Sequence, residues 1–169
     1  MIKEKDLQKL NIPTPKDEIK YRPGSGFEYK DKQYSRMLAY VDARYIQDKL
    51  DEIVGVCNWS NKFYRDEKGI LFCTITIRFL RESNGDELPF YDTISKTDCG
   101  TESNVEQQKG EVSDSFKRCA VHFGLARDLY NLPDPKGFKY IAETSNRKYL
   151  NPNTNTFTSI QQWKPKEDK

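Results

Sequence analysis

The stretch ILFCTITIRFL at residues 70–80 constrains the fold of this chain more than any other. Its apolar and polar side chains alternate. This two-residue period is typical of a β-strand that packs one face against a hydrophobic core. Two further strand-like runs flank it, VCNWSNKFYR at 56–65 and LPFYDTISK at 88–96. Turn residues separate the runs, among them Asn84 and Gly85, so we predict a three-stranded antiparallel meander.

Helical patterns lie on both sides of this meander. Asp42 is a candidate N-cap for a helix whose apolar residues keep helical spacing up to Val54, and Gly55 is its stop signal. A second helix is expected over residues 104–123, before Gly124. Its apolar stripe consists of Val112, Phe116, Cys119, Ala120 and Phe123. The predicted fold class is therefore α+β, with the order helix, three-stranded antiparallel meander, helix.

The length of 169 residues favours one domain with tails. Residues 1–33 read as an N-terminal segment, with a short helix at 3–10 followed by a loop rich in Pro, Gly and charge over 21–33. Residues 34–133 form the expected core domain. Residues 134–169 form a polar extension rich in Asn, Thr and Lys, which is either a flexible tail or a short hairpin or strand packed on this or a neighbouring subunit.

Composition limits the possible functions. The net charge is only +2, so any surface for nucleic acid must be local. The four cysteines lack a C-x-x-C spacing and indicate reduced small hydrophobes in a cytosolic protein rather than a zinc site. The GSG at 24–26 lacks the Lys-Ser/Thr of a phosphate-binding loop, so no ATP or other cofactor is expected. Neither a signal peptide nor a membrane span is recognisable, which predicts a cytoplasmic protein.

The pair Lys117-Arg118 is the most informative local feature. By helical geometry each residue lies roughly 120° from the centre of the apolar stripe, so both are expected outside the core. They could be ordinary solvated charges with Asp114 as a partner, or they could face a ligand that runs over the helix.

Acidic residues raise a second possibility. Asp92, Asp98 and Glu102 could form a metal-dependent nuclease cluster, although acids at such positions usually serve solubility and capping. His122, with no nucleophile at a convincing spacing, indicates a groove wall or plain surface rather than a triad. No catalytic residue and no metal ligand is predicted.

Two separated motifs, YVDARYIQDKLDEIVGVCNW and GEVSDSFKRCAVHFGLARDLYNLP, surround the predicted strands in order. In this arrangement residues 20–133 resemble the Rad52 superfamily of single-strand annealing proteins, in particular its bacterial and phage branch. The resemblance implies ATP-independent binding and annealing of single-stranded DNA in recombination and double-strand break repair. It also implies a homo-oligomeric ring with the DNA in a groove around it.

The resemblance implies site residues as well. Lys117 and Arg118 match the pair that holds the DNA backbone, Tyr40 matches an aromatic before the first helix, and Lys30 matches a basic residue before that. This chain has Val121 where some members have a further Arg, and Asp98 where some have a Lys of an outer DNA site. The candidate substitutes for that outer site are Arg78, Arg81 and Lys96.

The expected location is the cytoplasm of a bacterium, including a phage-infected one, with no membrane partner. Residues 134–169 are a candidate docking segment for a single-strand binding protein or a recombinase. Two alternatives to annealing stay open: a metal-dependent nuclease, and an oligomeric scaffold without DNA activity.

Overall fold

The computed structural model describes residues 2–29, 32–82, 88–100, 107–130, 140–142, 148–151 and 156–159. Its elements are β1 (Lys20–Tyr29), β2 (Lys32–Tyr40), α1 (Ala43–Ile53), β3 (Trp59–Arg65), β4 (Leu71–Arg81), β5 (Phe90–Cys99), α2 (Gln107–Val121), β6 (Tyr140–Ala142), β7 (Lys148–Asn151) and β8 (Thr156–Ser159). Two 3-10 helices, Glu4–Leu10 and Arg127–Tyr130, accompany them. The chain divides into two units, Met1–Thr14 with Asp42–Asp128 and Pro15–Val41 with Leu129–Lys169. The predicted α+β class is confirmed.

The first unit is built on an antiparallel sheet in the order β3-β4-β5. Side chains of β4 alternate between buried and more exposed, because one face of the sheet lies on the core and the other is open. On the open face the Thr74 and Thr97 hydroxyls share a hydrogen bond of 2.8 Å across β4 and β5. The predicted meander is confirmed, while the predicted turn at Asn84 and Gly85 lies outside the described residues.

Helix α2 covers the buried face of this sheet. The packed side chains include Ile75, Ile77, Phe116, Cys119 and Ala120. Burying a large aliphatic side chain stabilises a fold by about 1.5–3 kcal/mol, so this layer is a major source of stability. The predicted apolar stripe is confirmed at Phe116, Cys119 and Ala120. It is wrong at Val112, which is 40% exposed because it borders a groove beside the sheet.

Two features fasten the beginning of α2 to the sheet. Arg65 Nη2 at the end of β3 lies 2.6 Å from Glu111 Oε2, and Glu111 is otherwise buried. The hydrogen bond from Arg65 lowers the pKa of the Glu111 carboxyl, although burial opposes the shift. At Gly100 the backbones nearly touch, since a Cβ built there would lie 2.4 Å from the Glu111 carbonyl oxygen. Only glycine fits that approach.

Helix α1 follows Asp42 and ends before Gly55, as predicted. The φ angle of Gly55 is +91°, in the left-handed region that favours glycine after a helix. The inward-facing side chains Tyr45, Ile46 and Leu50 are buried. The Trp59 ring N–H of β3 donates a hydrogen bond of 2.7 Å to Asp51 Oδ1, which joins the helix to the sheet.

The first part of the N-terminal segment, Met1–Thr14, belongs to the same unit. The short helix predicted at 3–10 is present as the 3-10 helix Glu4–Leu10, and Leu10 is fully buried. Thr14 donates from its backbone N–H and its hydroxyl to the Asp128 carboxylate, at 2.8 and 2.7 Å. These contacts fix the segment near the chain that follows α2.

The second unit contains a five-stranded sheet in the order β1-β2-β6-β7-β8, with antiparallel pairing throughout. The loop predicted over 21–33 is wrong, because β1 and β2 occupy most of it. A register shift between Pro23 and Gly26, on a strand at the sheet edge, shows how a strand tolerates Pro and Gly here. Beyond residue 133 the described residues form the strands β6, β7 and β8. The domain limits predicted at residues 33 and 133 stay predictions.

Replacing Gly100 by Ala tests the close approach of α2 to the sheet. We expect a loss of about 1–3 kcal/mol in the free energy of unfolding, because the new Cβ displaces the helix backbone. Urea unfolding followed by circular dichroism measures this. Glu67→Ala, an exposed change in the turn between β3 and β4, is the control and should stay within about 0.5 kcal/mol of the wild type. A Gly100→Ala protein as stable as the wild type would contradict the packing described.

Candidate nucleic-acid interface

The outward face of α2 carries the two cations that the sequence predicted. Lys117 and Arg118 are each half-buried and follow the buried Phe116. Because successive helix residues turn by about 100°, their side chains leave the helix on different flanks. Arg118 is on the flank toward β5, and Lys117 is on the flank that also carries Ser113, four residues earlier. Their predicted position outside the core is confirmed.

Asp98 on β5 organises the Arg118 flank. Its carboxylate lies 3.5 Å from Arg118 Nε and 3.1 Å from His122 Nε2, and it accepts the Cys99 backbone N–H at 2.7 Å. Burial by itself raises the pKa of Asp98, but these hydrogen bonds and the Arg118 charge outweigh it and lower the pKa below its ordinary value. A negative charge therefore holds the Arg118 side chain against the sheet.

Two more cations, Lys96 and Arg127, donate hydrogen bonds to carbonyl groups at the C-terminal end of α2. Lys96 Nζ donates to the His122 carbonyl oxygen at 2.9 Å and lies 5.4 Å from the centre of the Phe123 ring. The Arg127 guanidinium donates to the Val121 carbonyl oxygen at 2.9 and 3.0 Å and to that of His122 at 2.9 Å. Cations are favourable at the negative end of a helix dipole. The result is a basic patch at the end of α2 that contains Lys96, Arg118 and Arg127, beside the contact between Asp98 and His122.

Two cysteines lie beneath this patch. Cys73 and Cys119 are fully buried, and Cys119 Sγ donates to the Lys96 carbonyl oxygen at 3.0 Å. A hydrogen bond with Cys119, together with burial, raises the pKa of the Cys73 thiol. Buried cysteines act as small hydrophobes, as the sequence predicted for these two positions.

Two predicted contacts precede α1. Tyr40 is the last residue of β2, where it pairs with Lys20, and its side chain is half-buried. It belongs to the second unit, whereas Lys117 belongs to the first. Lys30 lies outside the described residues.

The three candidates for an outer site occupy different positions on the sheet. Arg78 lies on the open face, with its guanidinium 5.0 Å from the Tyr91 ring centre. Arg81 forms salt bridges with Glu4 and Asp92, at 3.5 and 3.2 Å. Lys96 lies on the helix-covered face, in the basic patch described above. These three cations do not form one cluster.

A comparison with known protein families matches residues 3–148 to the model of the Rad52/22 family of double-strand break repair proteins. The match covers most of the chain. The chain belongs to the Rad52/22 family. The resemblance drawn from the two sequence motifs is thereby confirmed.

Two curated relatives are each named single-stranded DNA-binding protein DdrA. The protein from Deinococcus deserti is 34% identical over 136 residues, and the one from Deinococcus radiodurans is 31% identical over 143 residues. Each alignment covers 78% of this chain, but 60% and 58% of the respective relative. The Rad52/22-family chain thus spans about three fifths of the length of these relatives.

Two of the three acids of the nuclease alternative form ion pairs in this Rad52/22-family chain. Asp92 pairs with Arg81, Asp98 pairs with Arg118 and His122, and Glu102 lies outside the described residues. In the part of the chain that the structure describes, no three His, Cys, Asp or Glu side chains come together as metal ligands would. The described helices also include none with the length and apolarity to cross a membrane.

Sequence reasoning missed Asp98 as the partner of Arg118 and His122. It is 24 residues from His122, so no local spacing links the two, and an acid near a strand end reads as a solubility or capping residue. Arg127 was missed for a similar reason, because its contacts with Val121 and His122 depend on the turn at Gly124, where φ is +114°. Only the tertiary arrangement assembles this patch.

Replacing Asp98 by Asn tests the central carboxylate. Because its pKa is lowered in the folded protein, the ionised group stabilises the fold above the unfolded-state pKa of about 3.9, and this stabilisation is lost as pH falls through the folded-state value. We expect the variant to lose about 1–3 kcal/mol near neutral pH and progressively less below about pH 4. Urea unfolding across this range measures it.

The control for this prediction is Asp48→Asn, which removes the same charge at an exposed position of α1. A deficit of Asp98→Asn that is equal at every pH, or larger in acid, would show that the ionised carboxylate does not stabilise this cluster.

Proposed function

We propose that this chain binds single-stranded DNA along the outward face of α2 and anneals complementary strands without ATP, in recombination and double-strand break repair. The observation that carries the proposal is the adjacent pair Lys117 and Arg118. Both are half-exposed on the outer flanks of α2, whose inner face packs against the sheet. In a chain with a net charge of +2, such a local pair favours a phosphate ligand. Family membership and the names of the two relatives agree with it.

Annealing requires little covalent chemistry. Cations that hold one strand in an extended form lower the repulsion and the conformational search that oppose the approach of a second strand. Base pairing then supplies the driving free energy, so the proposed activity needs no catalytic residue. Because phosphate contacts carry no sequence information, the binding is largely indifferent to sequence.

The remaining predicted contacts have subordinate roles in this proposal. Tyr40 stacks on a base and Lys30 binds a phosphate. Arg78 and Lys96 are candidate secondary contacts. Arg81 contributes less than these two, because it would have to leave two carboxylates to reach DNA.

Repetition of the chain would multiply its few phosphate contacts. In the described part of the chain, β3 and β5 are the outer strands of their sheet, and the residues of β3 after Trp59 are all exposed. Strand edges of this kind pair readily with another chain. We propose that they join copies of the protein into a ring or arc, and that residues 134–169 contact a single-strand binding protein or recombinase.

One experiment tests the function against its alternatives. Purified protein is incubated with labelled complementary strands, without ATP and with or without magnesium, and duplex formation and strand length are followed. The proposal predicts accelerated duplex formation at full strand length in both conditions. Magnesium-dependent shortening would indicate a nuclease. Duplex formation no faster than in the absence of protein, at full strand length, would indicate a scaffold.

Replacing Lys117 or Arg118 by Ala tests the interface. Each variant should bind single-stranded oligonucleotides several-fold more weakly, because a phosphate contact is lost from every subunit on the strand. Fluorescence anisotropy measures the binding and circular dichroism the helix content. Lys9→Ala, which removes one positive charge from the N-terminal 3-10 helix, is the matched control. If either variant binds like Lys9→Ala, the assignment of that residue is wrong.

The salt dependence of binding tests the mechanism. On a single strand, each neutralised phosphate contributes about 0.7 to the slope of log affinity against log salt concentration. Oligonucleotides that cover several subunits should therefore show a steep slope, and short oligonucleotides should show a shallow one. On long oligonucleotides the Lys117→Ala protein should show a flatter slope than the wild type. A slope that is the same at every strand length, together with strong sequence dependence, would indicate base reading by a single subunit.

A further inference from the structure

An open groove of about 440 Å³ lies between α1, β3 and α2. It is lined by Ala43 and Gln47 of α1, by Asn61 and Phe63 of β3, and by Lys109, Val112, Ser113 and Phe116 of α2. Its volume is in the range of ordinary ligand pockets. All of these residues belong to the first unit, whose packing is described above.

The surface of the groove is mostly apolar, and polar groups contribute a small part of it. Phe63 is 37% exposed and Val112 is 40% exposed, although both could pack in a core. Gln47 and Asn61 add two amide side chains, each of which can donate and accept hydrogen bonds. Of the lining side chains that the structure describes, only Lys109 is charged. An aromatic surface edged by amides and a cation has the chemistry of a nucleobase site.

The groove is aligned with the proposed DNA path. Lys109, Ser113 and Lys117 follow one another at intervals of four residues, so they lie along one side of α2. The two lysines are about 12 Å apart along the helix axis, at 1.5 Å per residue. Ser113, which lines the groove, lies between them. A strand whose phosphates contact both lysines therefore runs beside the groove, within reach of its bases.

We propose that this groove holds a base of the bound single strand, stacked on the Phe63 ring, while neighbouring phosphates contact Lys109 and Lys117. The inference rests on the proposed function and adds a base site to a phosphate path. Gln47 and Asn61 can meet either a donor or an acceptor on the base edge, so the site accepts any base. An apolar side chain from a second copy is the competing occupant, but it gives no role to the lysines on either side.

The probes are two oligonucleotides of equal length, one with natural bases and one made entirely of abasic sugar–phosphate units. They present the same phosphates but differ in the groups that can enter the groove. The wild-type protein should prefer the natural strand. Phe63→Ala should reduce the affinity for the natural strand by about five-fold or more, which is the lower end of the effect of losing one stacked base. It should leave the affinity for the abasic strand unchanged.

Two matched variants accompany Phe63→Ala. Phe63→Tyr keeps an aromatic ring and should retain the preference for the natural strand. Tyr64→Ala removes an aromatic ring of similar exposure from the same strand, but from the opposite face, where Tyr64 stacks on Phe72 at 5.4 Å. It should not change the preference.

The outcomes separate this inference from the proposed function. Equal wild-type affinity for both strands, or an unchanged preference in Phe63→Ala, overturns the base site and leaves the phosphate path intact. Failure to bind either strand overturns both. If Phe63→Ala instead lowers the oligomer mass in light scattering and weakens binding to both strands alike, the groove holds a second copy and the base site is wrong.

Discussion

The attachment of α2 to the three-stranded sheet is the contact on which the rest of the first unit depends. The buried Glu111 carboxylate binds Arg65 of β3, and Gly100 lets the helix backbone approach the end of β5. Apolar packing in the layer below supplies most of the stabilisation, but it is non-directional and does not set the rotation of the helix. The ion pair and the close approach do so. They determine which residues of α2 face outward.

With that rotation set, the two flanks of the helix have different chemistry. On the β5 flank, Asp98 holds Arg118 in place, and cations satisfy the last carbonyl groups of α2. On the other flank, Lys117 continues a line of residues that borders a mostly apolar groove, which Phe63 and Phe116 help to line. Under the proposed function, a phosphate competes with Asp98 for the Arg118 guanidinium on one side, and the groove on the other side offers a surface to a base. Two adjacent residues of one helix turn, Lys117 and Arg118, therefore lie next to surfaces of different chemistry.

Much of this first unit could be predicted from the sequence, because its signals are local. The alternation in β4, the Asp42 and Gly55 boundaries of α1 and the stripe of α2 each arise from periodicity or capping over a few residues. The second unit could not, because Pro23 and Gly26 read as a loop and are tolerated only at a sheet edge. The role of Asp98 also depends on partners distant in sequence, and the exposure of Val112 depends on where the sheet ends.

The most direct test of the account maps the DNA on the protein surface. Ultraviolet cross-linking of a single-stranded oligonucleotide, followed by mass spectrometry of the attached peptides, identifies the contacted residues. If DNA lies along α2, the attachment sites are within α2 and at Phe63 on the helix-covered side of β3. Attachment is then strongly reduced when Lys117 and Arg118 are both replaced by Ala. Attachment concentrated on Tyr64 and Tyr91 of the open sheet face, unaffected by those replacements, would contradict it.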